Sequence, residues 1–386
     1  MWFPIIIFLT TTFSCLAAPP LVEQLGLGPP IPGPPTLAAQ GYILVDARNG
    51  EIIIEHNADE MLPPASLTKM LTAYIASVEI ESGRANYQDS VPISIGAWKT
   101  GGSRMFLREG TNVKLVDLLR GIIIQSGNDA SVAVAEFLAG SEDAFADLMN
   151  QTGRLMGMKS SHFVNSTGLP DEAHYTTARD LAILARKIVT DYPEIYDIYS
   201  EKDFTFNDIK QPNRNRLLFR DSSFDGIKTG HTKEAGYCLV ASAKRENLRL
   251  ISVVLGAGSE NLREKETMKL MQYGFRYFKG IEIFNAGQGI PDSERRVWFG
   301  QDDKVALNPL EPIYVTLPFG REPLLKAEID APPFLEAPLE KNDIVGKLKV
   351  FLDDRLMAES DLAIKNDVLE AGFMKKAGDR IKRMFD

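Results

Sequence analysis

Leu67, Met70, Leu71, Tyr74, Ile75 and Val78 recur at three- and four-residue intervals, so Leu67 to Val78 is predicted to be a helix with a buried face. The same spacing joins Phe145, Leu148, Met149 and Thr152 in a second helix, and Leu181, Leu184, Ala185 and Ile188 in a third. "TARD", Thr177 to Asp180, has the form of a capping box opening that third helix. On both sides of this helical middle the period changes to that of strands. "GYILVDARNGEIIIEHNADE" holds two β-rich runs joined through Asn49-Gly50, a hairpin signal. "GYCLVASA" and "LRLISVVLGA" give two more, ahead of a helical "REKETMKLMQYGFRYF". Strands from both ends of a segment around a helical middle predict an α/β domain whose sheet is closed by its first and last strands.

From Gly280 to about Lys365 the pattern becomes short β-type runs, "RRVWF", "IYVTLP", "LLKAEI" and "VGKLKVFL", with eight prolines between Pro291 and Pro338. A small β-sandwich or barrel-like domain is expected there, as a spacer or partner-binding unit. The last stretch, 366–386, places Leu369, Phe373, Ala377, Ile381 and Met384 or Phe385 on one side, with Lys375, Lys376, Arg380, Lys382 and Arg383 over much of the rest. It reads as a basic amphipathic helix drawn to an anionic membrane surface. At the other end "MWFPIIIFLTTTFSCLAAPP" reads as a secretory signal over 1–17, cleaved near Ala17 or Ala18, although no Lys or Arg precedes its apolar run. A Pro- and Gly-rich leader, 18–36, follows. The expected units are then 37–279, 280–365 and the terminal helix.

A net charge of −9 argues against a nucleic-acid partner. Of two cysteines, Cys15 leaves with the signal, and Cys238 in "YCLVASA" is expected as a buried thiol. Export without a disulfide requires stability from core burial.

Ser66 and Lys69 in "PPASLTKM" lie one turn apart on one helix face. A hydroxyl needs a base to become a nucleophile, and a lysine is a base only when neutral, with its pKa brought down by burial or nearby positive charge. Two more segments supply polar groups in order. "QSGNDAS" gives Ser126-Gly127-Asn128 after the helical "VDLLRGIII", and "DGIKTGHT" gives Lys228-Thr229-Gly230-His231 just before a strand. Taken singly, Ser126 and Asn128 are also what a helix end and a cap require, and Lys-Thr-Gly is also an ordinary turn.

Together the trio Ser-x-x-Lys, Ser-x-Asn and Lys-Thr-Gly resembles the signature of penicillin-binding proteins and serine β-lactamases. Further stretches resemble the low-molecular-mass D-Ala-D-Ala carboxypeptidases, the penicillin-binding protein 5 and 6 type of peptidase family S11. These are "GGSRMFLREG", "HFVNSTGLPDEAHYTTARDLAILA" and "NRNRLLF", and the resemblance spans about Leu37 to Phe278. It implies a transpeptidase-like fold acting on peptidoglycan stem peptides, with β-lactams as covalent inhibitors and no metal or other cofactor. By the same resemblance Ser66 is the nucleophile, Lys69 its general base, and Ser126 the relay of a proton to the departing D-Ala. Asn128 binds the substrate amide, and Lys228 assists Ser126, lowers the Lys69 pKa and, with Thr229, receives the substrate carboxylate. Gly230 lies in the same strand motif. The backbone N–H groups of Ser66 and His231 form the oxyanion hole, and Arg214 and Arg263 lie near the carboxylate pocket. The implied location is the periplasmic face of a bacterial inner membrane. Two rivals stand beside this reading, a β-lactamase and a catalytically silent wall-binding scaffold. No Glu-x-x-Leu-Asn stretch between Ser126 and Lys228 supplies the deacylating glutamate of class A β-lactamases. The four histidines, His56, His162, His174 and His231, lack metal-ligand spacing, and no Gly-x-Ser-x-Gly accompanies them.

Overall fold

The computed structural model describes residues 31–384. The expected signal segment, Cys15 and most of the Pro- and Gly-rich leader lie outside the described residues.

Five antiparallel strands form the central sheet: β1 (Gly41–Asp46), β2 (Ile52–His56), β3 (Phe224–Thr232), β4 (Gly236–Arg245) and β5 (Leu248–Ala257), in the order β2-β1-β5-β4-β3. The first strand lies against the last, Gly41 opposite Leu255 and Asp46 opposite Leu250, which is the closure that the sequence pattern predicted. Because side chains alternate along a strand, β1 serves two cores at once. Ile43 and Val45 face the helical middle of the chain, whereas Tyr42 and Leu44 pack with Leu250, Leu270 and Met271 on the opposite face.

The helices that frame the site include α1 (Lys69–Glu81), α2 (Leu115–Arg120), α3 (Asn128–Ala139), α4 (Glu142–Met156), α5 (Ala178–Asp191) and α6 (Glu260–Tyr277). The predicted stripes are present, and so is half of the capping box, since the Asp180 carboxylate accepts from Ser160 N–H and Ser161 Oγ instead of reaching back to Thr177. Thr177 accepts a hydrogen bond from the Asp180 N–H at the start of α5, and Phe145, Met149, Leu181, Leu184, Ala185 and Ile188 are buried. α1 differs in one respect from a surface amphipathic helix: every residue from Lys69 to Ser77 is buried, so it is the central rod of the helical half. Lys228 to His231 also differ from expectation. They precede the strand β4 as expected but are themselves part of a strand, β3, at the sheet edge, with Lys228 opposite Val240 and His231 opposite Tyr237. Two glycines and no run of β-branched residues hid that strand in the sequence.

After Tyr277 the chain passes directly into a strand, Phe278–Phe284, paired with Ile313–Pro318. A four-stranded sheet (Leu307–Pro309, Arg355–Ile364, Ile344–Leu352 and Leu325–Asp330) and a three-stranded one complete an all-β unit around Val297, Val315, Leu317, Leu348 and Leu362. Its Phe278–Phe284 and Arg355–Ile364 strands were not among the predicted runs. A buried carboxylate stands at the centre of this unit's contact with the central sheet, which Arg355 extends by pairing with Glu51. Asp46, fully buried at the end of β1, accepts hydrogen bonds from Tyr314 Oη (2.8 Å), Thr316 Oγ1 (2.5 Å) and the Arg48 N–H (2.7 Å). The Arg48 guanidinium covers the Tyr314 ring at 4.3 Å and pairs with Glu282. Gly280 has no side chain because the tyrosine passes there: a Cβ would stand 1.7 Å from Tyr314 Oη.

The terminal helix α7 (Phe373–Arg383) carries its amphipathicity turned outward. Its polar side faces the β unit: the buried Asp379 accepts from the Phe299 N–H, Lys375 pairs with Asp303, and Arg383 pairs with Glu336. Phe373 and Met374 are 83% and 85% exposed, and Ile381 and Met384 are exposed with them. Lys375, Lys376 and Arg383 are thus already paired with acids of the same chain, which leaves Arg380 and Lys382 without an ion pair among the described residues. The basic surplus expected to draw the helix to anionic lipid is smaller than the sequence count implies.

Tyr314→Phe is expected to lower stability by about 1–2 kcal/mol, because a buried carboxylate loses one of its three donors. Chemical denaturation of the wild type and variant checks this; an unchanged midpoint would show that Asp46 does not depend on that hydroxyl.

Candidate active site

Two prolines and a 3-10 turn, Ala65–Thr68, precede α1, so Ser66 sits on the turn and Lys69 at the first position of the helix, where they share a face. The turn is tight: Ala65 has φ 49°, in the left-handed region that a residue with a Cβ adopts at a cost. Lys69 Nζ lies 3.1 Å from Ser66 Oγ and donates to the Thr167 carbonyl at 2.5 Å. That carbonyl belongs to a loop fixed by Asn165, whose Oδ1 accepts from the Thr167 N–H, the Thr167 hydroxyl and the Gly168 N–H. Gly168, at φ 80°, is pressed against the turn that carries Ser66, and a Cβ there would fall 1.8 Å from the Ala65 carbonyl oxygen. On the other side Gly230 allows β3 to approach Pro64 and Ala65.

The second motif arises from a break in a helix. α2 runs into a π-helical turn, Gly121–Gln125, and the chain leaves it through Ser126 in the left-handed conformation, φ 66°. Strained backbone of this kind is often found where a side chain must be aimed. Ser126 Oγ is buried, has no hydrogen-bond partner among the described residues, and lines the same cleft as Ser66. Asn128 opens α3, and its neighbour Asp129 accepts hydrogen bonds from the Met105 and Leu107 N–H groups. The segment 101–107 is thereby strapped to the head of α3, which explains why "GGSRMF" belongs with "SGNDAS".

The cleft has a volume of about 560 Å³. Ser66, Ser126, Thr229, Gly230, His231, Arg214 and Arg263 all line it, so seven of the ten predicted site residues open onto one space. Lys69 and Lys228 lie beneath, each almost wholly buried. Asn128 does not line the cleft; its Nδ2 donates to the Gly101 carbonyl at 2.6 Å. Arg216, Glu260 and Tyr237 line it as well and had not been expected from sequence. Glu260 bridges the arginines, 3.1 Å from Arg263 and 3.7 Å from Arg216. Nothing in their local pattern distinguishes these residues from solvated charge.

Burial pushes the Lys69 amine down to about 7, and the Arg214 guanidinium adds to this against the opposing pull of Asp129 and Glu142. Lys228 was expected to add to this depression. Lys228 is itself held well below the ordinary lysine range by burial first, then by Lys69, Arg214 and Arg263. The Lys69 and Lys228 amines, both buried, thus disfavour one another's charge, with Arg214 acting on both.

A serine hydroxyl beside a near-neutral buried amine, a second hydroxyl without a partner and a rim of arginines make a cleft suited to acyl transfer from a substrate bearing a carboxylate. Comparison with known proteins agrees. The profile of the D-alanyl-D-alanine carboxypeptidase family, peptidase S11, matches residues 30–259, and that of the penicillin-binding protein 5 C-terminal domain matches 278–370. D-alanyl-D-alanine carboxypeptidase DacA of Escherichia coli K12 is 42% identical, covering 94% of this chain and 92% of its own. The crystal structure of penicillin-binding protein 5 from Haemophilus influenzae superposes with a TM-score of 0.81 at 43% identity, over 88% of this chain and all of that one. Penicillin-binding protein D2 of Listeria monocytogenes, solved in its ampicillin-bound form, covers 63% of this chain and all of its own, at 30% identity and a TM-score of 0.59. With its profile matched over more than half the chain and its fold shared over 88% of it, the chain belongs to the D-alanyl-D-alanine carboxypeptidase family.

Proposed function

We propose that the chain is a serine-type D-alanyl-D-alanine carboxypeptidase that removes the terminal D-alanine from peptidoglycan stem pentapeptides through an acyl-enzyme on Ser66. The observation that carries the reading is the buried Lys69 amine, 3.1 Å from Ser66 Oγ and pushed down to about 7, so that a large fraction is neutral at pH 7. In the neutral amine one N–H serves the Thr167 carbonyl, and the lone pair is left for the serine proton. Ser66 Oγ then bonds to the penultimate D-Ala carbonyl carbon as Lys69 takes that proton. The developing oxyanion is received by the backbone N–H groups of Ser66 and His231. Ser126 Oγ, assisted by Lys228, relays to the departing D-Ala nitrogen the proton that Lys69 took, and the C–N bond breaks. Thr229 and Arg214 hold the terminal carboxylate, with Arg263 behind. Water hydrolyses the ester and frees Ser66. A β-lactam presents an acyl group and a carboxylate in similar relation and acylates the same serine.

The outward apolar side of α7 supports a peripheral attachment to a bilayer after export to the periplasm, since among the described residues no helix is long and apolar enough to cross a membrane. The attachment rests mainly on Phe373, Met374 and Ile381, because three of the helix cations are paired internally. Ile381→Asp with Phe373→Asp is expected to release the protein from lipid vesicles in a flotation assay, while added salt does not. Salt-induced release of the wild type would return the attachment to electrostatics.

D-alanine release from a peptide ending in Lys-D-Ala-D-Ala, run beside covalent labelling by a fluorescent penicillin, tests the activity. Both are expected in wild type and absent in folded Ser66→Ala. Labelling with rapid turnover of the drug would favour a β-lactamase, and neither signal in folded wild type would favour a silent scaffold. The acylation rate is expected to rise with pH through about 7, as Lys69 loses its proton, and to level above it. A rate that is flat or falling across neutral pH would exclude Lys69 as the base.

A further inference from the structure

His174 is buried, and the reaction above does not use it. Its position is nonetheless fully specified. Nδ1 accepts a hydrogen bond from the Val164 N–H at 3.3 Å, which places the ring proton on Nε2. Nε2 lies 2.9 Å from Thr68 Oγ1. The Thr68 hydroxyl donates its single proton to the Ala65 carbonyl at 2.9 Å and therefore accepts from Nε2–H. The polarity of the chain runs one way, from Val164 N–H through the imidazole and the threonine to Ala65. The ring cannot swing out of line, since the Phe163 ring meets it edge-on at 5.5 Å and 90°. A second proton on the imidazole would set Nδ1–H against the Val164 N–H, and burial pushes the imidazole down to about 4.

The end of this chain is the residue before the nucleophile. Ala65 is held at φ 49°, and its carbonyl takes both the Thr68 hydroxyl and the close approach of Gly168. The next residue is Ser66, and the next after Thr68 is Lys69. We propose that His174 is a positioning residue for the nucleophile: through Thr68 it clamps the Ala65–Thr68 turn and so sets Ser66 Oγ against Lys69 Nζ. This rests on the reading of Ser66 as the nucleophile.

The test compares His174→Leu, His174→Gln and Thr68→Val with wild type, measuring the rate of Ser66 acylation by a fluorescent penicillin, kcat and KM on a D-Ala-D-Ala peptide, and thermal unfolding. His174→Leu and Thr68→Val are each expected to slow acylation by about 10- to 100-fold, the scale of a misplaced reacting group. KM should stay near the wild-type value, because the cleft walls are not altered. The double variant should be no slower than the slower single, since both break one chain. Glutamine can donate its amide N–H to Thr68, so His174→Gln should retain most of the rate. A lowered melting temperature with unchanged acylation, or a glutamine variant as slow as the leucine one, would overturn the proposal. Thr68→Val also serves if His174→Leu does not fold, and normal acylation in it would overturn the proposal equally. Wild type labelled at a residue other than Ser66 would remove the nucleophile assignment itself, and with it any role in positioning it.

Discussion

The site depends on keeping a lysine amine out of water. A charged ammonium resists burial, so the enclosed amine gives up its proton more readily, and that loss makes it useful as a base. The surrounding residues serve this one condition. Thr167 offers a carbonyl, which satisfies an N–H without adding a negative charge to stabilise the cation, and Arg214 adds positive charge from the cleft side. Asp129 and Glu142 pull the other way, and both are occupied with backbone or hydroxyl donors: Asp129 with Met105 and Leu107, Glu142 with Ser166. A carboxylate in direct contact with Nζ would restore the ordinary lysine behaviour.

Much of this was legible in the chain, for a physical reason that differs from part to part. The helices were readable because their buried faces impose a period, as Leu181, Leu184, Ala185 and Ile188 illustrate, and the closing strands because they are long and apolar. The three motifs were readable as a set through their order and family resemblance, with no periodicity to mark them. What escaped was of two kinds. Strands with weak alternation, such as Phe224–Thr232, were hidden by glycines that the site itself requires for close approach. Residues that act through polar contacts to loops, such as Asp129, Thr167 and His174, look in sequence like ordinary surface positions, because their partners lie 20 to more than 100 residues away.

The turn that carries Ser66 has few bonds of its own, the Thr68 hydroxyl to the Ala65 carbonyl and the Leu67 N–H to the Pro64 carbonyl. It is four residues long, includes a left-handed alanine, and is held from outside by the Gly168 loop, by β3 through Gly230 and by the threonine–histidine chain. Three separate segments therefore define one hydroxyl. Preorganisation is here a property of tertiary packing rather than of the helix on which the motif is usually drawn.

The joint at Asp46 has a consequence for reach. The carboxylate that ends β1 holds Tyr314 and Thr316, and within the same β unit Asp379 holds α7 by its polar side. Central sheet, β unit and terminal helix are thus linked by buried hydrogen bonds rather than by a free linker. A tethered domain on a loose chain sweeps a volume and meets targets at many heights. A braced one works at a fixed stand-off, so with α7 lying in a bilayer the cleft would sample only wall material at that height, and lengthening the β unit would move the working layer rather than widen it.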